Sequence, residues 1–252
     1  MNSPVFGIIP ARYDSSRFPG KPLANILGRP MFWHVYSRAR ESQIFRDVVL
    51  ATDNQKIYSR ARELEIPVLM TGSEHKSGTE RVLEAALKLK VPSQAIIVNI
   101  QGDEPALDPN IFQDLLLPFN RDEVKVSTLV QKISPAQAQN PNQVKVVWTS
   151  QGRALYFSRA AIPYTRDCAR HAFWGHIGLY AFRFDTLLKF CSLEASILEQ
   201  TEKLEQLRLL EADIPIHVQP TKHTSCGVDQ PEDIDLVEKI LAENDDLELV
   251  DL

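Results

Sequence analysis

Short apolar segments alternate with amphipathic segments along the first half of the chain. The apolar segments are rich in β-branched residues and predict strands at 5–9, 48–51, 68–70, 95–100, 124–130 and 144–148. Between them, hydrophobic residues recur three or four positions apart, which predicts helices with one buried face: Ile57, Ala61 and Leu64; Val82, Ala86 and Leu89; Ile111, Leu115 and Leu116. Alternating strands and helices are typical of a largely parallel sheet.

The second half of the chain has a different pattern. Closely spaced strands are predicted at 154–157, 177–182 and 216–219, with helices around 185–191 and 199–210. This pattern indicates a smaller β-rich lobe or added edge strands. A final helix is predicted at 231–242, and the acidic tail that follows it is expected to fray.

Composition narrows the class of protein without identifying a function. The 252 residues can bury one sizeable core, so a single domain is expected. The net charge of −5 argues against a nucleic-acid partner, which needs a broad basic face. Cys168, Cys191 and Cys226 form no C-x-x-C pair, which fits a reducing compartment. Because neither an export signal nor a membrane-spanning run is apparent, we expect a soluble, cytoplasmic protein with no membrane partner.

A long connection follows the first predicted strand. Residues 10–22 form a loop far longer than the roughly 2–6 residues usual in α/β units. Within it, Arg12, Arg17 and Lys21 have a single acidic counter-charge. At the carboxyl end of a strand this cluster suits a ligand's phosphates, and Gly20 allows close approach of the backbone. The alternative is a solvated loop whose basic residues form surface ion pairs.

The loop matches neither of two common phosphate-binding motifs. Position 15 is Ser where a Walker loop requires Gly, Lys21 is followed by Pro, and no G-x-G-x-x-G fingerprint occurs. ATPase and dehydrogenase functions are therefore disfavoured. The histidines show no metal-ligand spacing and no Gly-x-Ser-x-Gly motif is present, so neither a zinc site nor a serine nucleophile is predicted.

Asp103 is a candidate metal ligand. It follows the apolar strand predicted at 95–100 and a turn at Gly102, so it should lie at the same sheet edge as the loop 10–22. Mg²⁺ takes oxygen ligands, usually one or two carboxylates plus substrate phosphates, which suits Asp103. The alternative is an aspartate that bonds the backbone of its own turn.

Two further sites could be either helix caps or ligand sites. Asp229 precedes the last predicted helix, with Glu232 three residues on, a spacing that favours a capping box over a metal role. A cap can still leave one carboxylate oxygen for an ion. Ser77 and Glu80 form a second candidate capping box, and the amides of that helix start could instead bind an anion or a base edge.

Motifs spread along nearly the whole chain resemble those of the CMP-KDO synthetases, the 3-deoxy-manno-octulosonate cytidylyltransferases. They occur in family order and with similar spacing: Pro10-Ala-Arg-Tyr, Arg17-Phe-Pro-Gly-Lys-Pro22, Ala51-Thr-Asp53, Ser77-Gly-Thr-Glu-Arg81, Asn99-Ile-Gln-Gly-Asp-Glu-Pro105, Ala154-Leu-Tyr-Phe-Ser-Arg159, His176-Ile-Gly-Leu-Tyr180, Lys203-Leu-Glu-Gln-Leu-Arg208 and Val228-Asp-Gln-Pro-Glu-Asp233. The resemblance implies a nucleotide-diphospho-sugar transferase fold, an α/β fold with a mixed, mostly parallel sheet flanked by helices. A smaller β-rich lobe would bind sugar and help to form a homodimer.

The resemblance also implies an organisation within the single domain. The nucleotide-binding part would occupy about 1–130, the sugar-binding and dimer part about 131–225, and the C-terminal helix about 230–242. CTP phosphates would be held by Pro10, Ala11, Arg12, Arg17 and Lys21. The cytidine half would be recognised by Ser77, Gly78 and Arg81, with Gln101 between nucleotide and sugar.

The same motifs imply a magnesium cofactor on Asp103 and Asp229, and catalysis by Arg12, Lys21, Asp103 and Asp229. The residues implied to line the sugar site are Arg159, His176, Glu205 and Gln206. Their alternative roles are a structural ion pair at Arg159, a packed core histidine at His176 and a solvated helix face at Glu205. Glu205 and Gln206 are expected to be helical neighbours that point about 100° apart.

The implied reaction is attack by the anomeric hydroxyl of KDO on the α-phosphorus of CTP, giving CMP-KDO for lipopolysaccharide biosynthesis, and diphosphate. One alternative is another acceptor, amino-KDO or sialic acid. Another is a non-catalytic nucleotide-binding relative, which the full set of basic and acidic motif residues disfavours. The stretch 167–175 looks shorter than in the family, and 168–174 has no evident family counterpart, so the acceptor prediction depends on the other sugar-side motifs.

Overall fold

The computed structural model describes residues 3–14, 18–166 and 172–250, with side chains up to residue 243. Its strands are β1 (Val5–Ala11), β2 (Asn25–Ile26), β3 (Arg29–Pro30), β4 (Asp47–Thr52), β5 (Val68–Met70), β6 (Ile96–Asn99), β7 (Val126–Ile133), β8 (Lys145–Trp148), β9 (Ala154–Ser158), β10 (Phe173–Arg183) and β11 (Ile216–Pro220). Its α-helices are α1 (Met31–Glu41), α2 (Gln55–Glu63), α3 (Gly78–Lys88), α4 (Ile111–Leu116), α5 (Pro135–Ala138), α6 (Phe184–Ser192), α7 (Ile197–Glu202), α8 (Leu207–Glu211) and α9 (Ile234–Val250). Short 3₁₀ helices occupy Lys21–Leu23, Leu117–Asn120 and Pro231–Asp233.

Every strand predicted from the apolar pattern is present. The structure also contains the β2–β3 hairpin and α1, which the sequence pattern did not predict. The hairpin turns through Leu27 and Gly28, whose φ angles of 45° and 81° are typical of a tight turn between strands. Helix α1 buries Met31, Phe32 and Val35 at helical spacing.

Two predictions about helices are wrong. The helix expected at 199–210 is two helices, because Lys203 adopts a left-handed conformation with φ of 55° and ends α7. The acidic tail expected to fray is helical as far as Val250, since α9 continues well past residue 242.

The chain divides into two compact units. The first unit comprises Pro4–Ile111 and His223–Leu252. Its sheet is parallel, with strand order β6-β1-β4-β5, and β1 is buried between its neighbours, with Ile8 opposite Val49 on one side and Asn99 on the other. The chain runs from β1 outward to β4 and β5, then returns to the other side of β1 as β6. Ligands of open α/β sheets bind at the carboxyl ends of strands where the strand order reverses in this way.

The second unit is Phe112–Lys222. Its strand order is β11-β7-β10-β8-β9, with β7 parallel to β11 and the remaining pairs antiparallel. Strand pairing in the chain is therefore mixed, as the predicted fold class requires. Among the described helices, none has the length and apolar character needed to cross a membrane.

Candidate active site

One cleft of about 220 Å³ lies at the carboxyl ends of β1 and β6 in the first unit. It is lined by Pro10, Ala11, Arg12, Asp14, Lys21, Pro22, Gly78, Gln101, Gly102 and Asp103. Since β1 and β6 are adjacent parallel strands, the loop after β1 and the turn after β6 meet at one edge. The structure thus brings together the basic loop and Asp103, at the point where the strand order reverses. Arg17 lies outside the described residues.

Close backbone packing shapes the floor of this cleft. A Cβ atom at Gly102 would lie 2.7 Å from the carbonyl oxygen of Pro10, so only glycine fits between the two strands' ends. A Cβ atom at Gly78 would lie 3.3 Å from Pro10 Cγ, which shows how closely the start of α3 approaches β1. The first turn of α3, with its amide groups, therefore borders the cleft.

The Lys21 ammonium connects three segments of the first unit. It donates to Asp103 Oδ2 at 2.6 Å and to the carbonyl oxygen of Val228 at 2.8 Å. Gly20, with φ of 73°, precedes it and donates its N–H to the carbonyl oxygen of Tyr13 at 2.8 Å, which folds the loop back on itself. Arg12 by contrast has an exposed side chain at the cleft.

Asp229 does not cap the last helix, so the capping box predicted with Glu232 is wrong. Gln230 is the N-cap of the 3₁₀ helix Pro231–Asp233 that leads into α9, and Asp233 is its partner three residues on. Asp233 Oδ2 accepts from the backbone N–H of both Asp229 and Gln230 at 2.8 Å. A carboxylate at position 233 thus satisfies the helix start, which leaves the cap no need for the Asp229 side chain.

Asp103 offers an oxygen ligand of the kind that a hard divalent cation takes. Asp103 and Val228, the residue before Asp229, contact the same ammonium group. Mg²⁺ is commonly held by one or two carboxylates, with substrate phosphates and water completing its shell. Within the described ranges no cluster of three or more His, Cys, Asp or Glu side chains could hold a metal, so remaining ligands would have to come from substrate and solvent.

Glu104 is a half-buried residue next to Asp103 that was not among the predicted site residues. Its carboxylate accepts from Ser225 Oγ. Burial raises the pKa of Glu104 to about 7, the charge of Asp103 adds to that increase, and the Ser225 hydrogen bond opposes it. Its position inside the Gly-Asp-Glu motif was the available signal.

Arg81 does not line the cleft. Its guanidinium is fully buried and forms an ion pair with Asp53 Oδ2 at 2.6 Å. It also donates to Thr71 Oγ1 and to the carbonyl oxygen of Gly72. Arg81 therefore fixes the loop between β5 and α3, and its charged partner is Asp53, the last residue of the motif Ala51-Thr-Asp53.

The loop between β5 and α3 ends at Ser77, the N-cap of α3. The Ser77 hydroxyl accepts from Glu80 N–H at 3.2 Å, as predicted. In a capping box the Glu80 carboxylate would accept from the N–H of Ser77. Here it accepts instead from the N–H of Lys76, the residue before the N-cap, at 2.7 Å. Both contacts hold the loop against α3.

Of the residues predicted to contact the sugar, Gln101 lines the cleft of the first unit, and the other four belong to the second unit. Arg159 donates to the carbonyl oxygens of Glu202 (2.8 Å), Pro141 (3.1 Å) and Lys203 (3.4 Å). The Glu202 carboxylate in turn accepts from Ser158 Oγ and from Arg159 N–H. Arg159 thus links the end of β9 to the turn after α7 by hydrogen bonds.

His176 is packed between aromatic rings, 5.1 Å from Phe157 and 5.4 Å from Tyr180 between ring centroids. Burial lowers its pKa to about 3, so the imidazole is neutral at physiological pH. His176 Nε2 lies 2.9 Å from Thr128 Oγ1, and the Thr128 hydroxyl can donate its one hydrogen to the carbonyl oxygen of Leu179 at 2.8 Å or of Ile177 at 3.2 Å. We therefore assign the proton to Nε2, which leaves Nδ1 as the acceptor nitrogen.

Glu205 and Gln206 lie in the turn before α8 and are not neighbours within one helix, because Lys203 interrupts the predicted helix. Only 5% of the surface of Gln206 is exposed, and its Nε2 has no hydrogen-bond partner among the described residues. A buried donor without a partner is costly unless a ligand satisfies it. Burial, together with the charge of Glu205, raises the pKa of nearby Tyr180 well above its ordinary value.

Comparison with known proteins gives concordant results. The sequence model of the family described as Cytidylyltransferase matches residues 6–217. Proteins described as 3-deoxy-manno-octulosonate cytidylyltransferase from Nitratidesulfovibrio vulgaris strain Hildenborough and Lawsonia intracellularis are each 57% identical to this chain, over 95% and 96% of it and 97% and 96% of their own lengths.

Solved structures agree. A CMP:2-keto-3-deoxy-manno-octonic acid synthetase complexed with CTP matches with a TM-score of 0.91 and 39% identity, over 96% of this chain and 100% of that one. At 13% identity and a TM-score of 0.63, a 4-diphosphocytidyl-2C-methyl-D-erythritol synthase from Anaerococcus prevotii shares the fold, over 95% of this chain and 99% of its own.

Proposed function

The chain belongs to the cytidylyltransferase family, and we propose that it transfers CMP from CTP to the anomeric hydroxyl of KDO, releasing diphosphate. The proposal rests on a cleft that contains both basic side chains and Asp103, at the point where the strand order reverses. The chain is also 57% identical to proteins named for this activity. The product would enter lipopolysaccharide biosynthesis.

The nucleotide would bind in the cleft of the first unit. Arg12 and Lys21 supply positive charge for the phosphates, and Arg17 belongs to the same loop. The main chain at Pro10 and Ala11 provides a close-packed floor. The remaining nucleotide-binding residues would be Ser77 and Gly78 at the start of α3, with Gln101 at the turn after β6; Arg81 would act through the loop that it holds.

Asp103 and Asp229 would hold Mg²⁺ together with phosphate oxygens. When bound, the ion supplies charge neutralisation for the phosphates and for the leaving diphosphate. The chain's own contribution is to keep two carboxylates on segments that meet at Lys21.

The reaction is direct displacement at the α-phosphorus. The hydroxyl oxygen of the sugar bonds to phosphorus and gives its proton to solvent or a nearby carboxylate, while the bond from phosphorus to the β-phosphate oxygen breaks. No covalent enzyme intermediate is needed. Arg12 and Lys21 stabilise charge that develops on the phosphates, since chemistry of this type depends on positioning and electrostatics.

The acceptor would contact residues of the second unit. Gln206 Nε2 offers a buried donor for a sugar oxygen, and neutral His176 offers an acceptor nitrogen for a hydroxyl. Glu205 is half-buried in the same turn as Gln206. Arg159 supports this turn through the carbonyl oxygens of Glu202 and Lys203.

We also propose a homodimer located in the cytoplasm. An apolar depression in the second unit supports the dimer: it is lined by Val146, Val147, Trp148, Ile162, Pro163, Ala172 and Trp174. Exposed apolar patches of this kind commonly mark interaction surfaces. The free thiols of Cys191 and Cys226 fit a reducing compartment, whereas Cys168 lies outside the described residues.

The test is diphosphate release from CTP and Mg²⁺ with KDO, amino-KDO, sialic acid or no sugar. We expect rapid release with KDO and background rates in the control without sugar. Turnover with another acid alone would replace the acceptor and keep the reaction, whereas no turnover with any of the three acids would support a non-catalytic relative.

A further inference from the structure

Residues 223–228, here called the strap, cross the turn 103–108 in the first unit. The strap contains neither helix nor strand, so its path depends on the contacts that it makes with that turn. Asp229 follows the strap directly. The position of Asp229 relative to Asp103 therefore depends on how firmly the strap is fastened.

Main-chain hydrogen bonds fasten the strap near both ends. Val228 N–H donates to the carbonyl oxygen of Asp103 at 2.8 Å, and Asp108 N–H donates to that of Thr224 at 3.2 Å. Val228 is buried in a small core with Ile26 and Met31. These contacts set the direction of the strap, and side-chain contacts at its start and in its middle provide a further hold.

Two side-chain pairs supply that hold. His223 Nδ1 donates to Asp108 Oδ2 at 2.6 Å, and Ser225 Oγ donates to Glu104 Oε2 at 2.5 Å. Both acceptors belong to the turn that begins with Asp103. Neither His223 nor Ser225 is among the residues that line the cleft.

We infer that His223 and Ser225 are positioning residues that fix Asp229 relative to Asp103 and thereby set the affinity of the pair for Mg²⁺. The inference rests on the metal role proposed above. Mg²⁺ demands nearly ideal octahedral geometry, so a ligand displaced by a fraction of an ångström binds it poorly. Loss of groups that orient metal ligands typically lowers metal affinity by about 10–100-fold.

The test measures Mg²⁺ binding directly. Calorimetric titration of Mg²⁺ into the full-length protein with CTP and no acceptor sugar should show roughly tenfold weaker binding in His223→Ala and in Ser225→Ala. Thr224→Ala is the matched control, because the exposed Thr224 side chain belongs to the same strap. His223→Asn retains a donor near the position of Nδ1 and should recover most of the affinity.

Each outcome decides one question. Unchanged Mg²⁺ affinity in both alanine variants, or equal losses in Thr224→Ala, would overturn the inference. If His223→Ala does not fold, Ser225→Ala and His223→Asn provide the measurement. A wild-type protein that binds Mg²⁺ with CTP but does not turn over KDO would refute the proposed acceptor without bearing on the role of the strap. Turnover of KDO, together with unchanged Mg²⁺ affinity in the variants, would refute the role of the strap and support the proposed acceptor.

Discussion

Lys21 has the most constrained charge among the described basic residues of the cleft. Only 13% of its side chain is exposed, and its ammonium contacts both Asp103 and Val228. Replacing Lys21 with Ala should lower kcat with CTP by about 10²–10³-fold, the typical cost of removing one donor to charge that develops in the transition state. Steady-state kinetics check this, with the exposed Lys222→Ala as control. Near-normal kcat in Lys21→Ala would remove this lysine from the mechanism.

The lowered pKa of His176 predicts how the free energy of unfolding depends on pH. Its folded-state pKa of about 3 lies below the unfolded value of roughly 6.5, so the unfolded chain binds a proton over that interval that the folded chain does not. Its contribution to the free energy of unfolding is complete above pH 6.5 and falls towards pH 3, with a slope of up to about 1.4 kcal/mol per pH unit.

Urea unfolding at pH 4, 5, 6 and 7 measures this slope in the wild type and in His176→Gln. The variant should have a shallower pH dependence, because glutamine does not titrate. Parallel curves for the two proteins would show that the His176 ring is not buried as described. Since the ring is neutral above pH 6, activity there should show no titration from His176.

At the scale of the element, the loop between β5 and α3 depends on a buried ion pair. Arg81 is fully buried, and Asp53 at the end of β4 is its charged partner. Removal of one partner from such a pair typically costs about 3–5 kcal/mol, because the other charge is left buried without compensation. Asp53→Ala should lower the free energy of unfolding by about 3 kcal/mol and raise KM for CTP, as the loop that carries Ser77 loosens.

Chemical denaturation and kinetics together test this prediction. Glu63→Ala is the control, because the exposed pair of Arg60 and Glu63 on α2 should be worth less than about 1 kcal/mol. A loss in Asp53→Ala no larger than in Glu63→Ala would contradict the account of Arg81.

Elements with a strong local pattern could be predicted from the sequence, and those set by distant contacts could not. Strands β1, β4 and β6 are apolar runs, and the long loop after β1 contains its own basic residues. The Asp53 partner of Arg81 lies 28 residues away, with no local periodicity to link the two positions. The break at Lys203 escaped prediction because a left-handed lysine carries no signal of the kind that glycine gives.

The cap at Gln230 shows a similar limit. Asp229 with Glu232 and Gln230 with Asp233 have the same spacing, and only the folded backbone selects the second pair. The site was better predicted where motif residues met at one sheet edge, as Arg12 and Asp103 do. The hydrogen bond between Ser225 and Glu104 joins residues far apart in the sequence, so only the structure shows it.

At the scale of the whole molecule, the apolar depression in the second unit predicts self-association. Trp148 and Trp174 meet edge to face there, 5.1 Å apart between ring centroids. Trp148→Lys would place a charge among apolar side chains, so we expect the homodimer to dissociate. Sedimentation velocity measures the change, with Leu236→Lys as a control because Leu236 is an exposed leucine on α9 in the first unit. A wild-type monomer, or a dimer that persists in Trp148→Lys, would contradict this assignment.

The ion pair between Lys21 and Asp103 competes with the binding of a phosphate to Lys21 and with the binding of a cation to Asp103. An ammonium engaged with a carboxylate is less available to a phosphate, and the carboxylate is less available to a cation. A phosphate that draws Lys21 away leaves Asp103 to an ion, and an ion on Asp103 leaves Lys21 to the phosphate. Nucleotide and metal should therefore bind cooperatively, each raising the affinity for the other by the same factor.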